Sequence, residues 1–190
     1  MLWMFDPKLF HERYRIPAAR LPGWDYADPG YYAVTIVTGD RVPWFGDVRN
    51  GIMGLSDIGC VIHQCWNEIR NHYRHVTTDE FVVMPDHVHG IVVIGDKTST
   101  VETPLNGVST NVSHKPHHNP EWKPASLGSI IQQFKRACTL RIKQMDHPNF
   151  SWQPRFYDHV IRTKKAGELD RIRTYIRQNP EVWERDEFRL

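Results

Sequence analysis

Cysteine is scarce: Cys60, Cys65 and Cys138 are the only three, and none forms a C-x-x-C pair. An odd count without paired spacing argues against a disulfide framework and a zinc knuckle, and fits a reducing compartment. No apolar run nears the roughly 18 residues of a membrane span. The opening MLWMFDPKLFHERYR is charged and interrupted by Pro7, unlike the apolar stretch of a secretory signal. These absences predict a soluble, cytoplasmic protein with no membrane partner. No internal repeat is visible either.

What is present is ordinary in bulk. The 190 residues suit one domain, and 40% hydrophobic with 24% charged residues is a globular composition. A chain of this size can bury a sufficient core without disulfide or metal staples. The net charge of +2 hides an asymmetry. Residues 122–178 hold twelve Lys and Arg against four Asp and Glu, whereas residues 1–121 hold ten against fourteen. A basic third on a near-neutral chain fits a polyanion-binding face, and equally a solvated surface without a ligand.

The patterns predict a mixed architecture. Residues 1–29, punctuated by Pro17, Pro22, Pro29, Gly23 and Gly30, read as an N-terminal arm. YYAVTIVT from Tyr31 reads as a buried strand, and Asn50-Gly51 inside 45–55 as the turn of a hairpin. A helix capped by Ser56 or Asp57 is predicted to about Arg74, and a second over 126–145. FVVM and HVHGIVVI, joined at Pro85-Asp86, read as two strands, and RFYDHVIR at 155–162 as another. The polar, proline-rich 96–125 reads as a flexible insertion and 184–190 as a tail. The last helix is predicted from about Lys165 and is expected to stop at Pro180. Without regular β-α alternation, this favours an α+β domain with an antiparallel sheet.

Two constellations could carry chemistry. His87-Val88-His89 puts both imidazoles on one side of a strand, where they could grip a cation; equally, one could be exposed and the other hydrogen-bonded. Ile91 breaks the third histidine of an H-x-H-x-H pattern, which removes the nucleophile of a histidine-triad hydrolase. In the final helix Tyr175 and Asn179 are four apart and share a face. A tyrosine is a competent nucleophile only when its surroundings activate it, and Arg171, Arg173 and Arg177 lie near in sequence. In isolation the same pair also suits a half-buried aromatic and a helix-end asparagine.

Taken together, three motifs carry a resemblance. FVVMPDHVHG at 81–90, WQPRFYDHVIR at 152–162 and Tyr175-Ile176-x-x-Asn179-Pro180 follow in that order. They resemble the REP-associated tyrosine transposases, relatives of the single-tyrosine HUH transposases of bacterial insertion sequences. Gly23-Trp24-Asp25-Tyr26, Phe45-Gly46-Asp47-Val48 and the 126–141 segment are similar too, so the likeness covers most of 20–183.

The resemblance implies a ferredoxin-like (RRM-like) α+β domain over 30–183 in a bacterial cytoplasm. It implies that His87, His89 and Asn179 hold a divalent metal, Mg²⁺ or Mn²⁺, and that Tyr175 is the nucleophile. His159 lies in the family's Tyr-Asp-His segment and has an auxiliary role at most. Tyr157 is the rival nucleophile, set aside because only Tyr175 carries the i+4 Asn and the Asn-Pro ending. The implied activity is cleavage and rejoining of single-stranded or hairpin DNA through a 5′-phosphotyrosine, by a monomer or a homodimer. From charge, Lys135, Arg136 and Arg162 are the picks for phosphate contacts. Two other readings compete: a hairpin-DNA-binding protein of the same fold without catalysis, and a histidine-metal hydrolase acting on a small molecule.

Overall fold

The computed structural model describes residues 20–21, 23–96, 123, 125–163 and 165–183. The expected arm up to residue 19, most of the 96–125 insertion and the 184–190 tail lie outside the described residues.

A four-stranded antiparallel sheet organises the chain, with β1 at Gly30–Val37, β4 at Val76–Val83, β5 at His87–Ile94 and β6 at Tyr157–Ile161. The strand order is β4-β5-β1-β6. Helix α1 (Asp57–His72) connects β1 to β4, and α2 (Leu127–Gln144) connects β5 to β6. A βαββαβ chain with its first and third strands central is the ferredoxin-like arrangement. Between β1 and α1 sits a hairpin of β2 (Gly46–Arg49) and β3 (Ile52–Leu55). Its turn uses φ of 53° at Asn50 and 72° at Gly51, the two positive values that a type I′ turn demands.

Strand alternation sorts side chains onto two faces. On one, Tyr32, Val34, Ile36, Val88 and Val92 meet Ile62 and Trp66 of α1 and Ile131 and Phe134 of α2. Both helices start where a serine can accept an orphan amide: Ser56 from Gly59, and Ser126 from Ser129. Gly90 lies under the Trp66 indole, and an added Cβ would come 2.2 Å from the ring. Only glycine lets that indole reach the middle of β5.

On the other face a small cluster of Ile91, Ile161 and Ile176 seats α3 (Glu168–Trp183). Two sequence-based expectations change here. Pro180 does not stop the helix, which runs through it to Trp183. Proline removes one amide donor from the ladder, and packing of the last turn outweighs that loss: the Trp183 ring lies 5.6 Å from that of His87. The strand read as starting at Phe81 begins at Val76, because a bulge between Thr78 and Phe81 hides its alternation.

Within α3 only Ile176 and Asn179 are buried. Ion pairs with β4 do much of the docking. Arg173 Nη2 donates to Asp79 Oδ2 at 2.6 Å, and Arg177 Nε meets Glu80 Oε2 at 3.2 Å. Hydrogen bonds from Arg173 hold the Asp79 carboxyl below its ordinary range, against the opposing effect of burial. The linkage follows from that sign. The pair contributes fully above the unfolded carboxylate value near 4 and is lost as pH falls through the lower native value. At pH 3, α3 amides are therefore expected to lose hydrogen-exchange protection before those of α1 and α2. The Glu68–Arg141 pair between α1 and α2 weakens in acid as well, but those helices keep their large apolar contact. Asp79→Asn should produce the same loosening at neutral pH, at a cost of about 1 kcal/mol.

Candidate active site

His87 and His89 stand on central strand β5, on the face that α3 covers, and both are buried. Their ring centroids are 4.5 Å apart at an interplanar angle of 79°. Each ring is held through Nδ1. The Asp86 Oδ1 atom lies 2.5 Å from Nδ1 of His87, and the Thr35 hydroxyl oxygen lies 2.8 Å from Nδ1 of His89. A carboxylate oxygen accepts only, so Nδ1–H of His87 donates, and in the neutral ring Nε2 then carries the lone pair. With Thr35 accepting in the same way, both Nε2 atoms remain as ligands. Burial first, then the electrostatic effect of the neighbouring His87, lowers the His89 pKa well below its ordinary value. That imidazole is neutral at physiological pH, the state a metal ligand requires.

The turn before His87 is clamped. Asp86 is 5% exposed, and its second oxygen takes Arg41 Nη1 at 3.3 Å. Its carbonyl accepts from the Thr38 amide at 2.9 Å and the Thr38 hydroxyl at 3.0 Å. Arg41 and its neighbour Asp40 both hold positive φ, 55° and 51°, a conformation that non-glycine residues adopt only at some cost.

Helix α3 brings the other candidates to the same place. The Tyr175 ring lies 5.5 Å from that of His89, and Trp183 lies against His87. Asn179 is one turn from each on the same helix face, so it faces the histidine pair. It is buried, and its side-chain nitrogen donates to the Tyr175 carbonyl at 3.2 Å, which leaves the amide oxygen available. His87, His89, Tyr175 and Asn179 thus converge within one chain. Among the described residues no group of three or more His, Cys, Asp or Glu could hold a metal. A cation at this site would rest on two imidazole nitrogens and one amide oxygen, with positions left open.

The other sequence candidates lie apart. His159 Nε2 meets Glu168 Oε1 at 2.9 Å, so it ties β6 to the start of α3. Lys135 donates to the carbonyls of Gln153 at 2.7 Å and Arg155 at 3.1 Å. Its burial pushes the amine pKa down to about 8. Arg136 is exposed on α2, whose core stripe packs across the sheet from the histidines, and Arg162 is exposed just beyond β6. The arginines near Tyr175 are engaged elsewhere: Arg173 with Asp79 and Asp170, Arg177 with Glu80, and Arg171 with the Gly167 carbonyl. Tyr157 sits on edge strand β6, where partial burial and then the Asp158 charge raise its phenol pKa. Both make its phenolate harder to form.

An uncharacterized protein of Haemophilus influenzae is 31% identical over 189 residues, covering 99% of this chain and 98% of its own. The chain belongs to the family of that protein. No family model matches the sequence. Among solved structures, a REP-associated tyrosine transposase bound to a REP hairpin superposes with a TM-score of 0.52 at 15% identity. The match covers 83% of this chain and 69% of that one, and at this identity it speaks for the shared fold. No helix among the described residues is long and apolar enough to cross a membrane.

Proposed function

We propose that this protein is a metal-dependent endonuclease and strand transferase acting on single-stranded or hairpin DNA, with Tyr175 as its nucleophile. The observation that carries the reading is the convergence of His87, His89, Tyr175 and Asn179 on one sheet face of one chain. The shared fold of the hairpin-bound transposase adds to it, as does the basic stretch over 122–178. Mg²⁺ or Mn²⁺ fits the donor set, since hard or borderline cations take imidazole together with amide and phosphate oxygens. Held by His87, His89 and Asn179, the cation would neutralise charge on the non-bridging phosphate oxygens.

The chain's own residues do the rest. Asp86 and Thr35 orient the two imidazoles, and α3 carries the Tyr175 hydroxyl toward them. Attack by Tyr175 Oη forms a bond to phosphorus and breaks the bond to the 3′-oxygen. The phenol proton goes to solvent, and the 3′-oxygen takes up a proton to become a hydroxyl. The 5′-phosphate stays on tyrosine as a diester, so an incoming 3′-hydroxyl can reverse the step without ATP. Because all four groups come from one chain, a monomer suffices.

The test incubates the protein with end-labelled hairpin DNA and Mn²⁺. Expected products are a protein–DNA adduct and a free 3′-hydroxyl that a polymerase can extend. Tight binding without any cut would favour the inactive hairpin-binding reading; a cut leaving a 3′-phosphate would contradict the chemistry. Binding should also weaken steeply with salt, as phosphate contacts release counterions. Affinity independent of salt would count against a DNA partner. Asp86→Ala should weaken Mn²⁺ binding by roughly 10- to 100-fold, read by titration calorimetry, because it frees the His87 ring.

A further inference from the structure

Helix α3 covers only part of the sheet face that bears the histidines. On β5 that face is buried at His87, His89 and Ile91, whereas on β6 the same face is exposed at Tyr157 and His159. The register runs Val82–His89–Thr35–Tyr157 straight across the four strands. Thr35 therefore lies between the site and the Tyr157 ring, which is 39% exposed. Two strand spacings, about 10 Å, separate Tyr157 from His89. Exposed cations at Arg155, Arg162 and Lys165 flank β6, with Asp158 turned to the opposite face.

Resting on the reading above, we infer that Tyr157 is a stacking platform for a base of the single strand next to the scissile phosphate. An exposed ring on an edge strand, beside exposed basic ends and in line with the reactive groups, suits a flexible polyanion with planar bases. A second protein would need an apolar rim that β6 does not offer. Stacking needs the ring and not the hydroxyl, so Tyr157 and Tyr175 divide the work: one holds the strand and the other attacks it.

The experiment measures binding of a labelled single-stranded oligonucleotide to the full chain over a range of salt, for wild type, Tyr157→Phe and Tyr157→Ala. Tyr157→Phe should bind as wild type and still form the covalent adduct. Tyr157→Ala should bind roughly 5- to 100-fold more weakly, with the salt slope unchanged, because stacking releases no counterions. A 2-aminopurine placed beside the scissile phosphate should be quenched by wild type and Tyr157→Phe, and not by Tyr157→Ala. Unchanged affinity and quenching in Tyr157→Ala overturn the inference. So does a loss in Tyr157→Phe equal to that in Tyr157→Ala, which would assign the work to the hydroxyl. Failure of the wild type to bind any single strand instead removes the DNA reading on which the inference rests. Circular dichroism melts establish that both variants fold.

Discussion

Tyr175→Phe is expected to abolish the covalent protein–DNA adduct and to lower strand cleavage by a thousandfold or more, on the order seen when a nucleophile is deleted. The substitution removes one oxygen from a ring that is 44% exposed and keeps the ring itself in place. The apolar contacts of Ile172 and Ile176 remain, as do the Arg173–Asp79 and Arg177–Glu80 pairs. Binding of hairpin DNA should stay within about threefold of wild type, since phosphate contacts elsewhere supply most of the affinity. Gel mobility under denaturing conditions reads the adduct, and anisotropy reads the binding. If cleavage survives in Tyr175→Phe and fails in Tyr157→Phe, the nucleophile has been misassigned.

The second large effect concerns the histidines. Replacing His87 and His89 together with alanine should remove cleavage, again by about a thousandfold, because a polarising cation contributes several kcal/mol at the transition state. Both rings are buried between β5 and α3, so their loss leaves a cavity and weakens the helix contact. Chelation of the wild-type protein separates the two causes: it removes the cation and leaves both imidazoles in place. Chelated wild type and the double variant should both bind hairpin DNA and both fail to cut it. Cutting that persists in the presence of chelator would remove metal from the mechanism.

Much of the scaffold was legible because its causes are local. Ser56 and Ser126 announce α1 and α2, and Asn50-Gly51 announces the hairpin through the backbone angles it permits. The H-x-H spacing puts both rings on one side of any strand, and the i+4 spacing puts Tyr175 and Asn179 on one side of any helix. What stayed hidden is nonlocal. Thr35 supports His89 only because β1 pairs with β5 in the register that sets them opposite each other. The Trp183 contact with His87 depends on the helix passing Pro180, which local propensity argues against. Asp86 left a faint signal, being next to His87 in a tight turn, but its grip on Nδ1 follows from the clamp that Thr38 and Arg41 impose. Lys135 misleads in the opposite direction: from sequence it is a surface cation, yet its amine is drawn onto two carbonyls ahead of β6.

The site and the sheet edge belong to one surface. α3 starts above β6, where His159 holds Glu168, and ends above β5 and the hairpin, where Trp183 meets His87 and Glu181 approaches Gly51. A helix held by polar contacts to β6 and β4 and by a ring contact at its end, with little apolar burial between, can shift by small amounts without unfolding the core. That freedom suits a nucleophile that must reach a phosphate and later release it.

The central claim is that Tyr175 becomes covalently joined to DNA. Wild-type protein is incubated with a hairpin oligonucleotide and Mn²⁺, digested with nuclease and trypsin, and the peptides are weighed by mass spectrometry. The account expects a nucleotide mass on Thr174-Tyr175-Ile176-Arg177, the peptide between the trypsin sites at Arg173 and Arg177. A nucleotide on the peptide that holds Tyr157, or no modified peptide from a reaction that has cut the DNA, would contradict it.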